Sequence, residues 1–192
     1  TILFLISKNT SDAIKVVEEI LFDFDKNFNN SLDILSSHKL GFKNNSKKTS
    51  SLYSELLNLM EAGKADFTGT FKSLKATLIK EDDTIFSNNF RNSDEDKQHA
   101  VSQWLGNWRK LLQENSKSKT EAIELLSSSN PEFIMRNHLV EQAIGKATKG
   151  DFSDFEILCD LLITPFEVKE NHETFYNAPR DSEVVHQTFC GT

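Results

Sequence analysis

The helical spacing of apolar residues constrains the fold of this chain more than any other feature of its sequence. Fifteen phenylalanines and numerous leucines recur at separations of three and four residues, the spacing that keeps side chains on one side of an α-helix. Strict alternation of apolar and polar residues, which is typical of a half-buried strand, is scarce. The sequence therefore predicts an all-α protein, built as an irregular helical bundle.

The longest predicted helix runs from about residue 11 to residue 36, with Ser11 or Asp12 as its N-cap. One side of it is apolar, and this stripe is expected to face a core: Val16, Val17, Ile20, Leu21, Phe24, Phe28, Leu32 and Leu35. Further helices are predicted over residues 51–62, 66–78 and 96–114, within 116–129, over 131–147, and from 153 to the proline at 165. The charged, Asn-rich segment between residues 80 and 95 has no period and predicts a loop.

Two of these helices have start signals in the sequence. Asn130 followed by Pro131 is typical of an N-cap and a first helical residue, where the missing proline N–H is harmless. Ser153 with Glu156 three residues later has the pattern of a capping box. We therefore expect helices that begin at residues 131 and 153.

Charge and cysteine content exclude several classes of protein. The formal net charge is −7 and the chain has only four arginines, so no nucleic-acid partner is expected. Two cysteines cannot form a disulfide framework, which favours a reducing cytoplasm as the location. The apolar run Thr1–Ile6 is too short to span a membrane, and no membrane association is expected. We interpret this run as the cut edge of a longer protein, with a removed start methionine or tag as the alternative.

The sequence contains no recognisable catalytic constellation. Asp66-Phe67-Thr68-Gly69 looks like the metal-binding motif of kinases, but no Gly-x-Gly and no Gly-Lys-Ser/Thr occurs anywhere in the chain. Asp66 is better explained as the residue at a helix N-terminus, where a carboxylate meets free N–H groups. We therefore predict no catalytic, no cofactor-binding and no metal-binding residue in this chain.

Several polar residues are instead candidates for a structural clamp. Arg136 and Asn137 lie in a largely apolar, well-capped segment, where an arginine usually anchors a carboxylate or the carbonyl groups of a neighbouring segment. Asp66, Arg109 and Asn130 complete this candidate set. Cys190 is the third residue from the end, and an exposed terminal thiol can exchange or oxidise when its pKa is lowered.

Four segments taken together resemble the C-terminal part of one family. They are Leu56–Met60 leading into Lys64–Phe71, Trp104-Leu105-x-x-Trp108-Arg109, the block Asn130–Leu139 continuing to Gly150–Ser153, and Pro165-Phe166 with the terminal Thr188–Thr192. Their order and spacing resemble the selenoprotein O (SelO, YdiU) family over roughly residues 11–192. Lys72 stands where that family often has arginine, which is a mild departure.

The resemblance implies a protein-kinase-like fold and a protein adenylyltransferase activity, the transfer of AMP from ATP to Ser, Thr or Tyr hydroxyls. It also implies that ATP and magnesium are used by the full-length protein. The family's nucleotide-binding lysine, its partner glutamate and its metal-binding residues belong to a region N-terminal to this chain. Many eukaryotic members have selenocysteine near the C-terminus, and the match to Cys190 implies a redox role for this thiol.

These implications divide the chain into three parts. Residues 1–45 are expected to be the end of a kinase-like C-lobe, residues 46–166 a helical C-terminal domain, and residues 167–192 an extended tail. The expected partners are the protein's own N-terminal kinase-like core and the protein substrates of the full-length enzyme. The expected role is to brace the kinase-like lobe, while the chain alone is inactive. A free-standing helical interaction module without an attached enzyme is the alternative.

Overall fold

The protein is all-α, as the helical spacing of its apolar residues predicts. The computed structural model describes residues 9–91, 94–115 and 118–185, and within them no strand occurs. Eight α-helices lie in this part of the chain: α1 (Thr10–Lys39), α2 (Lys47–Ala62), α3 (Phe67–Lys80), α4 (Thr84–Ser87), α5 (Glu95–Asn115), α6 (Lys119–Ser129), α7 (Asn137–Ala147) and α8 (Ser153–Ile163). None of these helices is both long and apolar enough to cross a membrane.

Polar side chains fix the starts of the first helices. Asn9, not Ser11 or Asp12, caps α1, and its Oδ1 accepts from the backbone N–H of Ser11 at 2.9 Å. Ser46 caps α2, which begins at Lys47, four residues earlier than predicted, because the side chains of Ser46 and Thr49 form a reciprocal capping box. Asp66 caps α3, as its place in the sequence indicates.

The end of α1 and helices α2 to α6 enclose the larger of two hydrophobic cores, which we call the main core. Its centre is a ladder of flat rings, in which Phe86 stacks on Trp104 and Trp104 stacks on Trp108 at centroid separations of 5.3 and 6.2 Å. Both indole N–H groups donate to backbone carbonyls at 2.9 Å, from Trp104 to Leu52 and from Trp108 to Leu40. The ladder thus buries large rings and leaves neither indole nitrogen unpaired.

The loop prediction for residues 80–95 is wrong in its middle. The short helix α4 forms there, and Phe86 and Phe90 are buried in the main core. Two phenylalanines four residues apart are too short a signal for a period to be recognised. Packing against Trp104 therefore decides the local structure.

A second core lies between α7 and α8. Phe133, Leu139, Leu158 and other side chains are buried there, and Phe175 and Tyr176 pack against them. These two aromatic residues belong to a 3₁₀ helix (Glu173–Tyr176) within the range predicted as an extended tail, and a second 3₁₀ helix covers Asp181–Glu183. The predicted domain boundaries themselves remain predictions.

The predicted start of a helix at Pro131 is wrong. Asn130 ends α6 as its C-cap, and α7 begins only at Asn137. The backbone N–H groups of Glu132 and Phe133 both donate to the carbonyl of Pro165, at 2.8 and 3.0 Å. The backbone of Glu132 and Phe133 thus bonds to the chain after α8, and this tertiary contact overrides the capping signal.

The capping box predicted at Ser153 is also absent. The start of α8 at Ser153 is correct, but Phe152 is the N-cap and makes no side-chain hydrogen bond there. The N–H of Ser153 donates to Oδ1 of Asp151 at 3.0 Å instead.

Candidate functional site

A row of charged side chains joins the two cores. It lies where α3 faces the extended segment 131–136, and we call it the seam: Asp66, Lys72, Lys75, Glu132 and Arg136. Arg136 donates from Nη1 and Nη2 to the two carboxylate oxygens of Asp66, at 2.7 and 2.8 Å. The two side chains are largely buried, being 10% and 21% exposed. This geometry is the bidentate fork that arginine forms with carboxylates, and it ties the second core to the main core.

Asp66 performs two tasks with one carboxylate. Its Oδ1 also accepts from the backbone N–H of Gly69 at 2.7 Å, which caps α3. Burial alone would raise the pKa of Asp66, but the hydrogen bonds from Arg136 and Gly69 outweigh it and hold that pKa below its usual value. Asp66 is therefore stabilised in its ionised form.

Glu132 is the buried carboxylate of the seam, with only 7% of its side chain exposed. Lys75 donates a short hydrogen bond to its Oε1, and Lys72 lies 3.9 Å from its Oε2. The ammonium of Lys72 also lies 5.5 Å from the ring centroid of Tyr176. Burial lowers the pKa of Lys72, and Glu132 opposes this shift. Two cations thus compensate one buried anion.

The seam borders an open cleft of about 330 Å³, whose lining includes Lys72, Asn89, Glu132 and Tyr176. Its carboxylates are already bound to cations of the same chain. Among the residues that the structure describes, no group of three or more His, Cys, Asp or Glu side chains could hold a metal ion. The carboxylates of the seam are therefore paired with Lys72, Lys75 and Arg136, and they do not form a site for magnesium.

The other candidate clamp residues lie apart from the seam. Arg109 on α5 pairs with Asp83 through a short contact at the surface. Asn130 is 3% exposed and holds the end of α1, donating to the carbonyl of Lys39 at 2.9 Å and accepting from the ammonium of Lys39 at 3.3 Å. Asn137 is exposed at the start of α7. Cys190 and the run Thr1–Ile6 lie outside the described residues.

Three members of the seam are absent from the predicted clamp set: Lys72, which the sequence marks only as a departure from the family, Lys75 and Glu132. Glu132 stands between Pro131 and the buried Phe133, a position that looked like the first turn of a helix. Lys75 follows Lys72 by three residues on α3, which indicates a shared face. That spacing was the available signal, but it does not reveal the buried carboxylate opposite.

The apolar stripe of α1 defines a second unusual surface, which we call the α1 stripe: Val16, Val17, Ile20, Leu21, Phe24, Phe28, Leu32 and Leu35. Its residues were expected to face a core, but most of them are exposed, including Phe24 at 63% and Phe28 at 55%. The rings of these two phenylalanines stack on each other at 6.0 Å.

The contacts of α1 with α2 are made by its opposite side, whereas on the stripe side Lys39, at the end of α1, packs on Phe67 and Phe71 and donates to Asn130. Asp33 accepts from the hydroxyl of Ser50, and the hydroxyl of Ser37 bonds that of Thr49, both at 3.0 Å. With 3.6 residues per turn, Phe24 lies ~180° around the helix from Asp33, and Phe28 lies ~180° from Ser37. The α1 stripe therefore points away from the main core.

Comparison with known proteins places these features in a family. A family model described as "Protein adenylyltransferase SelO" matches residues 3–163. A "Protein nucleotidyltransferase YdiU" from Rhizobium meliloti is 40% identical over 156 residues, which are 80% of this chain and 31% of the relative. Proteins of the same name from Bacillus cereus and Clostridium botulinum are 30% and 33% identical, and the matches cover 98% and 100% of this chain.

The relatives are much longer than this chain. The matched region is 36% of the Bacillus cereus protein and 37% of the Clostridium botulinum protein. The chain thus spans about a third of the length of the curated relatives that it matches.

Proposed function

The chain belongs to the SelO family, and on that premise we propose that it is the C-terminal helical part of a protein adenylyltransferase. The full-length enzyme moves AMP from ATP to Ser, Thr or Tyr hydroxyls of proteins. In this proposal the nucleotide and magnesium bind to the upstream two-thirds of the protein, and the present chain braces that catalytic part.

The observation that carries the proposal is the direction of the α1 stripe. Eight apolar positions at helical spacing lie on a side of α1 that the main core does not use, while Asp33 and Ser37 hold the opposite side. Large contiguous apolar surfaces on soluble domains mark interaction sites. In these relatives about two-thirds of the length lies outside the matched region, which is enough for a body of the required size. The α1 stripe is therefore the surface on which the catalytic part rests.

The seam gives the brace its rigidity. Arg136 and Asp66 fix the α7–α8 pair to α3 by two hydrogen bonds, and Asn130 fixes the end of α1 to the end of α6. A domain that holds its docking helix in this way positions whatever is bound to that helix. In the proposal, Asp66, Asn130 and Arg136 act as structural clamps and not as catalytic groups.

Cys190 adds a redox role to the proposal, on the strength of the family resemblance. Its thiol and a cysteine thiol of the upstream part would form a reversible disulfide by thiol–disulfide exchange, in which a cellular disulfide accepts the two electrons and two protons and is reduced to two thiols. Mass-spectrometric mapping of the full-length protein under oxidising and reducing conditions tests this role, and a Cys190 that is never oxidised would remove it.

Calorimetric titration with ATP and Mg²⁺ tests the main proposal. The 192-residue chain and the full-length product of its reading frame are titrated side by side, and AMP transfer to protein is measured with labelled ATP. We expect binding and transfer only by the full-length protein. Specific ATP binding or AMP transfer by the chain alone would contradict the proposal, and a reading frame without an upstream region would favour the free-standing interaction module.

A further inference from the structure

A second apolar surface lies on the pair of helices α7 and α8. It is a groove of about 280 Å³, which we call the α7–α8 groove, and its lining is almost wholly apolar. The lining includes Met135, Ile144, Phe152, Phe155, Leu158 and Cys159. Ile144, Phe152 and Phe155 are each more than half exposed, at 52%, 55% and 54%. The small second core therefore buries one side of this helix pair and leaves the other side uncovered.

Contacts within the chain connect this groove to the α1 stripe. Lys39 follows Leu32 and Leu35 by seven and four residues, so it lies on the same side of α1. Its ammonium lies 5.7 Å from the ring centroid of Phe67, which is 48% exposed. Phe67 lies next to the seam, because the residue before it, Asp66, pairs with Arg136.

The connection continues from Arg136 into the groove. The residue before it, Met135, is 39% exposed and lines the groove directly. The α1 stripe and the α7–α8 groove are thus linked through Lys39, Phe67 and the ion pair of Asp66 with Arg136. Exposed apolar surfaces on soluble domains mark interaction sites.

We infer that the α7–α8 groove is covered by the same upstream part of the protein that covers the α1 stripe, so that one body docks across both. This inference rests on the proposed function, because it takes its occupant from there. A second copy of the chain is the other candidate occupant, and the concentration dependence in the test below distinguishes it from the upstream part. The relatives, in which about two-thirds of the length lies outside the matched region, have a body large enough to cover both surfaces.

The groove accepts an apolar ridge, such as one side of a helix, between Ile144 on α7 and Phe155 on α8. The seam holds the segment that leads into α7 against the start of α3, through the ion pair of Arg136 with Asp66. In this arrangement the upstream part contacts the chain at two places, the α1 stripe and the α7–α8 groove.

The groove carries its own reporter, because Cys159 lines it and is exposed. The test labels thiols with N-ethylmaleimide and measures the rate at each peptide by mass spectrometry. Three proteins are compared: the unchanged sequence, which reports on the groove through Cys159, the variant Phe28→Cys on the α1 stripe, and the variant Lys26→Cys on the exposed polar side of α1. Each is prepared as the 192-residue chain and as the full-length product of the reading frame.

In the 192-residue chain all three sites are expected to react readily. In the full-length protein the rates at Cys159 and at position 28 should fall at least tenfold, and the rate at position 26 should not change. If the labelling rate falls at position 28 but not at Cys159, the inference is overturned and the proposed function stays intact. Unchanged labelling rates at position 28 and at Cys159 would overturn the inference and the proposed function together. If labelling of the 192-residue chain slows as its concentration rises, the surfaces pair with a second copy, and the inference is overturned.

Discussion

The main core and the α1 stripe contain the same kinds of side chain at the same helical spacing, yet only the main core is buried. Trp108 and Phe86 are fully buried. Phe24 and Phe28 have more than half of their surface in solvent. The difference shows that an apolar helix face predicts burial against something, but not that the partner belongs to the same domain.

The way α1 is attached explains the contrast. The domain holds α1 by hydroxyl groups and a carboxylate, through the pairs Ser37 with Thr49 and Ser50 with Asp33. Within the described residues, no side chain of α1 itself belongs to the main core, which begins with Leu40 and Phe42 directly after the helix. The helix is therefore anchored at one end and on its polar side, which leaves the α1 stripe available for docking.

The largest effect is expected in the ring ladder of the main core. Trp108→Ala should lower the free energy of unfolding by about 4 kcal/mol, because it leaves a cavity and removes the donor to the carbonyl of Leu40. Urea unfolding followed by far-ultraviolet circular dichroism measures this loss, with Phe24→Ala as the matched control. Equal losses of unfolding free energy in the two variants would mean that the α1 stripe is buried as well, so that it does not differ from the main core.

The next largest effect is expected in the seam. Arg136→Ala should cost about 2 kcal/mol, because it leaves the carboxylate of Asp66 partly buried without its fork of donors. Arg136→Lys should recover only part of this loss, since an ammonium cannot donate in bidentate geometry. Arg109→Ala is the control, and its exposed ion pair with Asp83 should contribute about 0.5 kcal/mol. A loss at position 136 no larger than at 109 would show that the seam does not join the cores.

Lowering the pH should weaken the ion pair of Asp66 with Arg136 before it unfolds the main core. The pKa of Asp66 is lower in the folded protein than in the unfolded chain, so its contribution to stability is present above about pH 4 and is lost as the pH falls through the folded value. Asp66→Asn keeps an acceptor for capping α3 but has no charge to titrate. The stability difference between the two proteins, measured by urea unfolding from pH 7 down to pH 3, should therefore narrow at the acid end. A constant difference would exclude Asp66 as the titrating group.

The smallest effect is expected on the α1 stripe itself. Phe28→Ser should change the stability of the 192-residue chain by less than about 0.5 kcal/mol, because an exposed ring loses little contact. The same substitution in the full-length protein should be clearly destabilising, since the ring is covered there in our proposal. A thermal melt of both forms measures the two effects, and an equal, negligible shift in both would argue against docking at this stripe.

Long periodic segments could be predicted from the sequence, and short ones could not. The apolar faces of α2, α3 and α5 were recognisable because each repeats over several turns, and Leu56, Leu74 and Trp104 are buried as that repeat indicates. Phe86 and Phe90 give only one repeat, so α4 was predicted as loop. Pro131 was assigned to a helix because its hydrogen-bonding partner, the carbonyl of Pro165, is distant in sequence.

Only part of the seam could be predicted, again because residues that meet in the fold are distant in sequence. Arg136 and Asp66 were each notable in the sequence, since an arginine in an apolar segment and a carboxylate at a helix start both need an explanation. Nothing in the sequence indicated that they meet, because 70 residues separate them. Glu132 was hidden by its position next to a proline that mimicked a helix start.

The ring ladder has a spectroscopic consequence. Trp104 and Trp108 are the two tryptophans of the chain, and both belong to the main core. Indole emission therefore reports on that core, whereas Tyr176 is the fluorophore that packs on the second core. Unfolding curves recorded by tryptophan emission and by ellipticity should coincide only when the two cores unfold together. A substitution that breaks the seam, such as Arg136→Ala, should therefore make the two curves separate.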